Sequence, residues 1–306
     1  MKTTHLIHND TVYFMSPSMA PQEKHLPTIE KSKNMLNQLG LNVFESKVRQ
    51  NYYMGGTISE RIEQFNEFLD GNYKMATPVV GGKSCNQLLE KLPYDKIRNS
   101  EKIFLGLSDF TSILLAIYSQ TGLTTYHFSD PAGGMGNNPE WSSKQLEILL
   151  KPDAKYDITF SKSLSHTINP GSSDGILLGG NLSAICRLVG TKYCPDFKGA
   201  ILFLEACNTS VGEVDANIGQ LKQAGILDNI NGLILGSFFQ ADKEIEEMKY
   251  SFAQILDNWD FNKKIPTLKT TMFGHFTDNV LLPEGLKVEF NSIDGTIKGL
   301  EPLFKD

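Results

Sequence analysis

Three side chains of the 306-residue chain have the types needed for nucleophilic catalysis together: Ser108, Glu205 and His275. A serine hydroxyl becomes a nucleophile at neutral pH when a base takes its proton, and histidine is the usual base. The histidine needs a carboxylate to fix its tautomer and stabilise the imidazolium. The order serine, acid, histidine is that of α/β-hydrolases. The three lie far apart in sequence, so only folding brings them together. Each also has a plain alternative. Ser108 and Asp109 are good N-caps, Glu205 suits a solvated strand end, and His275 suits a turn satisfied by backbone.

Ser108 has the strongest local setting. Ile103 to Leu105 is a short apolar run that reads as a buried strand, and Thr111 to Gln120 carries Ile113, Leu114, Ile117 and Tyr118 at helical spacing. Gly106-Leu107-Ser108-Asp109 joins them. A serine on a tight strand-to-helix turn projects its hydroxyl above the sheet, and the following backbone N–H points at the same space. Gly81-Gly82 and Gly179-Gly180-Asn181 each have two readings: a plain turn, or a close backbone approach to a substrate oxyanion.

The same grammar recurs along the chain. Helices expected over 28–39 and before Gln120-Thr121-Gly122-Leu123 and Gln223-Ala224-Gly225-Ile226 each end on a glycine suited to a left-handed cap, followed by an apolar residue. Strands are expected at Val12–Met15, Leu41–Phe44, Met75–Val80, Gly175–Asn181, Ala200–Leu204, Gly232–Phe238 and Leu268–Phe273. Further helices fit a capping box at Thr57–Glu60, the segments 86–92 and 243–256, and a Val214, Ile218, Leu221 stripe. A small antiparallel pair is expected at 286–290 and 295–300. Alternating units of this kind imply an α/β fold with parallel strands. From about 127 to 175 the pattern loosens into turn chemistry such as Pro131-Ala132-Gly133-Gly134, as expected of a lid or connection. His127 and His166 fall there and read as surface residues. Cys207 reads as structural.

Composition narrows the class. Hydrophobic residues make up 40% and charged residues 21%, ordinary for a globular protein. A formal charge of −6 gives no footprint for nucleic acid or an acidic membrane surface. The polar N-terminus lacks a signal-peptide core, and no apolar run has membrane-span length, so a soluble cytoplasmic protein is expected. The four cysteines show no CxxC pattern, and no metal-ligand spacing, P-loop or Rossmann fingerprint is present.

The chain resembles the LD-carboxypeptidase family of serine peptidases, and within it the branch of microcin C immunity proteins. The matching stretches are Val80-Gly81-Gly82 with Asn86-Gln87-Leu88-Leu89, Phe104 to Asp109, Gly179 to Leu182 with Gly190-Thr191, Pro195 to Glu205, Leu221 to Ile226, Gly232 to Gly236, and Gly274-His275 with Asp278-Asn279. They occur in family order and span nearly the whole chain.

The resemblance implies an N-terminal α/β domain over 1–165 with a parallel sheet and the nucleophile, and a C-terminal α/β domain over 175–306 with mixed β elements, the acid and the base. The site would lie in the cleft between them. It implies Ser108 as nucleophile, His275 as base and Glu205 as its partner, with an oxyanion hole from the N–H of Asp109 and one from Gly81 or Gly82. Expected substrate contacts are Asn181, Asn279 and Trp141, the last read either as a nucleotide-stacking aromatic or as a buried anchor. No metal or organic cofactor is implied, and a homodimer is. The substrate is either an LD-configured muropeptide or a microcin-like peptidyl-nucleotide, cleaved near a free carboxyl end. The rivals are a general amidase and a non-catalytic cleft-binding protein. Leu107, Ala206 and Phe276 depart from the residues usual at those places in the family, which bears on substrate preference more than on mechanism.

Overall fold

The computed structural model describes residues 1–48 and 50–305. Its first half runs β1 (Thr11–Met15), α1 (Leu26–Gln38), β2 (Asn42–Glu45), α2 (Ile58–Asp70), β3 (Met75–Pro78), α3 (Tyr94–Ser100), β4 (Ile103–Gly106), α4 (Thr111–Thr121), β5 (Thr125–His127) and α5 (Pro139–Leu146). Then come β6 (Asp157–Thr159), β7 (Ser165–Asn169), β8 (Ser172–Asn181), α6 (Leu182–Leu188), β9 (Ile201–Ala206), α7 (Val211–Gln223), α8 (Ile226–Asn229) and β10 (Gly232–Phe238). The chain ends with α9 (Phe239–Glu247), α10 (Phe252–Asn258), β11 (Thr267–Thr270), β12 (Leu282–Glu284), β13 (Lys287–Asn291) and β14 (Thr296–Gly299).

Two sheets result. The first has the order β12-β5-β4-β3-β1-β2, parallel except for β12, which pairs antiparallel with β5 through Leu282 and His127. The second has the order β6-β14-β13-β8-β9-β10-β11-β7, with a parallel centre of β8 to β11 and antiparallel flanks. This is the mixed α/β architecture that the alternating pattern implies. β6 and β7, from the stretch that reads as a loose connection, belong to the second sheet, while β12, from near the C-terminus, completes the first.

Several elements differ from expectation for visible reasons. The segment 127–175 is not loose. It holds a π-helical turn at Pro131–Met135, then α5, β6 and β7, elements too short for periodicity to mark. The helix expected over 243–256 is two helices, broken between Glu247 and Phe252, where Lys249 takes φ 53°. Residues 85–88 form only a 3-10 turn, and α3 follows it. The capping box of α2 is present, with Thr57 Oγ1 accepting from the N–H of Glu60. Gly122 caps α4 at φ 72°, a left-handed position that costs glycine nothing sterically.

α4 carries the site into the core. Ile113, Leu114, Leu115, Ala116 and Ile117 are all fully buried, so the helix is apolar all round rather than amphipathic. It packs on β4 and β5 of the first sheet and on β8 and α6 of the second. Each fully buried aliphatic side chain there contributes roughly 1.5–3 kcal/mol over an exposed one. Movement of the Ser108 turn would therefore disturb packing against both sheets.

Candidate active site

β4 ends at Gly106, and the chain turns at Ser108, which takes φ 64° before α4 begins. A non-glycine residue there is strained, by about 1–2 kcal/mol. Packing on both sides holds it. A Cβ on Gly106 would lie 2.7 Å from the Phe110 ring and 2.8 Å from Pro78, so only glycine fits beneath the turn. A Cβ on Gly81 would come 2.9 Å from Ser108 Oγ, so the backbone of the Gly81-Gly82 loop passes directly over the hydroxyl. The N–H groups of Gly81 and Gly82 make no hydrogen bond within the described residues.

Glu205 lies at the end of β9 and is fully buried, not a solvated strand end. Its Oε2 accepts from His275 Nδ1 at 2.6 Å, and its Oε1 accepts from Asn181 Nδ2 at 3.0 Å. Asn181 is its register partner across β8 and β9. A proton on His275 Nδ1 leaves Nε2 as the acceptor. Burial pushes the His275 imidazole down, but the Glu205 charge, its hydrogen bond and Asp130 more than offset this, so its pKa stands above the ordinary value. Burial pushes Glu205 up, and His275, His127 and Asn181 together draw it below the usual range. The pair favours carboxylate plus imidazolium, the state in which His275 holds a proton taken from a nucleophile.

Ser108, His275, Asn181, Asn279, Asp109, Gly81 and Gly82 all line one cleft of about 1980 Å³. Among the described residues Ser108 and His275 share no hydrogen bond, although both line the cleft; such catalytic contacts often tighten only with substrate in place. Asn279 is buried and clamps the turn before the histidine. Its Oδ1 accepts from the N–H of Gly274 at 2.7 Å, and its Nδ2 donates to Ser129 Oγ at 2.8 Å. Trp141 is not part of the cleft wall. Its indole is half-buried and donates to the Asn279 carbonyl at 2.7 Å, which makes it an anchor rather than a stacking platform. Cys207 lines the cleft, but burial and then Glu205 push its thiol up to about 11, so it is not thiolate at neutral pH.

His127 is fully buried on β5, not at the surface, because β5 lies between β4 and β12. Burial lowers its pKa to about 4, so it is neutral. His166 is exposed, as its sequence setting suggests.

The support beneath the turn comes from residues distant in sequence. The Asp109 carboxylate is buried. Its Oδ2 accepts from Ser18 Oγ at 2.5 Å and from the N–H groups of Ser84 and Cys85 at 2.6 and 2.7 Å. It thereby ties the serine turn to the strap that carries Gly81-Gly82. Beneath that strap the fully buried Arg61 donates to the carbonyls of Pro17 and Ser84. One signal was present: Arg61 and Gln64 share the i, i+3, i+4, i+7 stripe of α2 with Phe65 and Phe68. A polar residue on a core stripe needs a buried partner. Among the described residues no cluster of three or more His, Cys, Asp or Glu could hold a metal ion, and no helix is long and apolar enough to cross a membrane.

A strained serine turn and a carboxylate–histidine pair facing one cleft, carried by two α/β sheets, place the molecule in the class of two-sheet α/β proteins with a hydrolase-like constellation. The chain belongs to the LD-carboxypeptidase family: residues 12–128 match the model of the family's N-terminal domain and 174–290 that of its C-terminal domain. It is 28% identical over 295 residues to a Bacillus subtilis protein described as "Probable murein peptide carboxypeptidase", covering 94% of this chain and 90% of that one. It is 25% identical over 312 residues to the microcin C7 self-immunity protein MccF of Escherichia coli, covering 91% and 90%. The structure of MccF in complex with glutamyl sulfamoyl guanosine superposes with a TM-score of 0.89 at 24% identity, over 99% of both chains.

Proposed function

We propose that the protein is a serine-type carboxypeptidase that hydrolyses an amide bond near the free carboxyl end of a peptide. The Ser108 oxygen attacks the carbonyl carbon while His275 Nε2 accepts its proton. The N–H of Asp109 and one from the Gly81-Gly82 loop receive the charge on the carbonyl oxygen. The amine leaves with the proton held by His275, and water then opens the acyl-serine by the same path. Glu205 keeps the tautomer and the imidazolium, and Asn181 holds Glu205. The observation that carries this reading is the 2.6 Å Glu205–His275 contact beside a serine at φ 64°.

The family and the murein-peptide relative favour a muropeptide substrate. The likeness to MccF over nearly the whole chain favours a peptidyl-nucleotide as the second reading. Both fit a two-domain enzyme acting as a homodimer inside the cell. Incubation with a muropeptide panel and a peptidyl-adenylate analogue, read by mass spectrometry, should show loss of a C-terminal group from one of them. A fluorophosphonate probe should label wild type and not Ser108→Ala. Labelling that persists in the variant, or no cleavage of either class, would defeat the proposal.

A further inference from the structure

A carboxypeptidase must distinguish a chain end from a chain interior, which takes buried donors or a cation near the nucleophile, and a cation supplies the stronger, charge-assisted bond. Three cationic side chains of the lysine and arginine type line this one: Lys24, Lys83 and Arg187. Lys24 and Lys83 are exposed, and no salt bridge holds either of them among the described residues. Arg187 differs. It projects from α6 and is fixed at one corner, where its Nη1 donates to Asp109 Oδ1 at 3.3 Å. Its side chain is 36% exposed, and this is its one hydrogen bond among the described residues. A guanidinium has five N–H donors in a planar fork, so most of its donors remain available to the cleft.

The anchor sets the position. Asp109 directly follows Ser108, so the guanidinium is held one short side chain from the nucleophile's own backbone. Asp109 Oδ2 is already taken by Ser18, Ser84 and Cys85, so the arginine meets the carboxylate only at Oδ1 and its remaining N–H donors stay unengaged. A carboxylate one residue beyond the scissile carbonyl lies about 3.3–3.6 Å of chain further on. The other charges facing the cleft do not compete for this role. Glu213 caps α7 through Ser210, Asp130 accepts from the N–H of Gly133, and Asp278 accepts from Asn138.

We propose that Arg187 is the specificity-determining residue that receives the substrate's terminal carboxylate, presenting the free edge of its fork while Asp109 holds the other. The inference rests on the carboxypeptidase reading and assigns its chain-end recognition to one side chain. Bidentate pairing of this kind is specific to arginine, since a lysine offers only a point charge.

The test is a binding cycle in the Ser108→Ala protein, which separates recognition from turnover. Calorimetry gives Kd for a murein tetrapeptide and for its C-terminal amide, with and without Arg187→Gln. The acid should bind more tightly than the amide. Arg187→Gln should remove roughly 10- to 150-fold of that preference, weakening the acid much more than the amide, whose carbonyl makes at most a neutral-acceptor contact. Arg187→Lys should restore part of it. Equal weakening of acid and amide would overturn the proposal and make Arg187 a strut for Asp109, and so would no change in either. If neither ligand binds the Ser108→Ala protein, the murein reading itself falls and takes the assignment with it. That result is distinct, because no affinity remains for Arg187 to modulate.

Discussion

Asn181 Nδ2 reaches Glu205 Oε1 at 3.0 Å from the neighbouring parallel strand, so the carboxylate that holds His275 is itself held from behind. Both Glu205 oxygens are thus occupied inside a fully buried setting, and the acid has no freedom to swing away. A buried carboxylate in this position is stable only while its partners remain, which makes the pair sensitive to isosteric change.

Glu205→Gln should therefore separate charge from shape. The amide keeps the volume but neither fixes the tautomer nor stabilises the imidazolium, so kcat should fall by about 10³- to 10⁴-fold. The pH profile should move as well. His275 must be neutral to act as base, and the Glu205 charge raises its pKa, so wild-type kcat/KM should climb through an acid limb above the ordinary imidazole value. Without that charge, burial dominates and the limb should shift to lower pH. An unshifted acid limb in the variant would show that Glu205 does not set the base.

Gly81→Ala probes the approach of the loop to the nucleophile. The new methyl would sit 2.9 Å from Ser108 Oγ and 3.1 Å from its Cβ, and the short hydroxyl would have to rotate away. A misplacement of about 1 Å at a reacting atom costs on the order of 10²-fold in rate. Gly81 does not have a positive φ that alanine would resist, so the melting temperature should move little. Wild-type turnover in this variant would mean that the loop does not overlie the nucleophile in solution.

Much of this was legible in advance, for physical reasons that differ by element. Residues 103–121 announce themselves because an apolar run, a glycine and a helical stripe change period within a few residues. The partnership of Glu205 with His275 follows from chemistry and order, whereas the contact of Asn181, expected as a substrate contact, with Glu205 depends on the register of β8 and β9. What escaped were long-range facts. Three-residue strands such as β5 and β12 have no readable alternation, so His127 looked like a loop residue when it lies under the site. Trp141 carried an aromatic signal that could not say which way the ring faces. The roles of Asp109 and Arg187 depend on α6 crossing to the first sheet's turn, which no local pattern encodes.

The strain at Ser108 can be measured apart from its chemistry. Ser108→Ala and Ser108→Gly both delete the hydroxyl and should both abolish turnover. Alanine remains strained at φ 64° and glycine does not. The glycine variant should be the more stable of the two by about 1 kcal/mol, despite glycine's greater unfolded-state freedom. In a chain of this size that is a difference of about 2 °C in Tm. Alanine melting at or above glycine would mean that the left-handed turn is not kept in solution.

Glu284 supplies a test of the fold that is independent of catalysis. It is fully buried on β12, where Oε2 accepts from Thr125 Oγ1 at 2.8 Å and Oε1 has no partner among the described residues. Burial pushes its pKa up to about 8, against a partial opposing effect of the Thr125 hydrogen bond, so the folded protein holds this carboxyl protonated at neutral pH. A folded-state pKa raised above the unfolded value contributes stability that is complete below about 4.5 and is lost as pH rises through about 8. Glu284→Gln carries no such proton. Its carbonyl can still accept from Thr125, and its unpaired N–H replaces the equally unpaired O–H of the acid. The stability of the variant relative to wild type should therefore rise as pH increases from about 4.5 to 8 and then level off. The full change should be on the order of several kcal/mol, since each pKa unit is worth about 1.4 kcal/mol. Denaturant unfolding of both proteins at pH 5, 7 and 9 measures it. A difference that stays constant across that range would show that Glu284 is ionised, or not buried, in the folded protein.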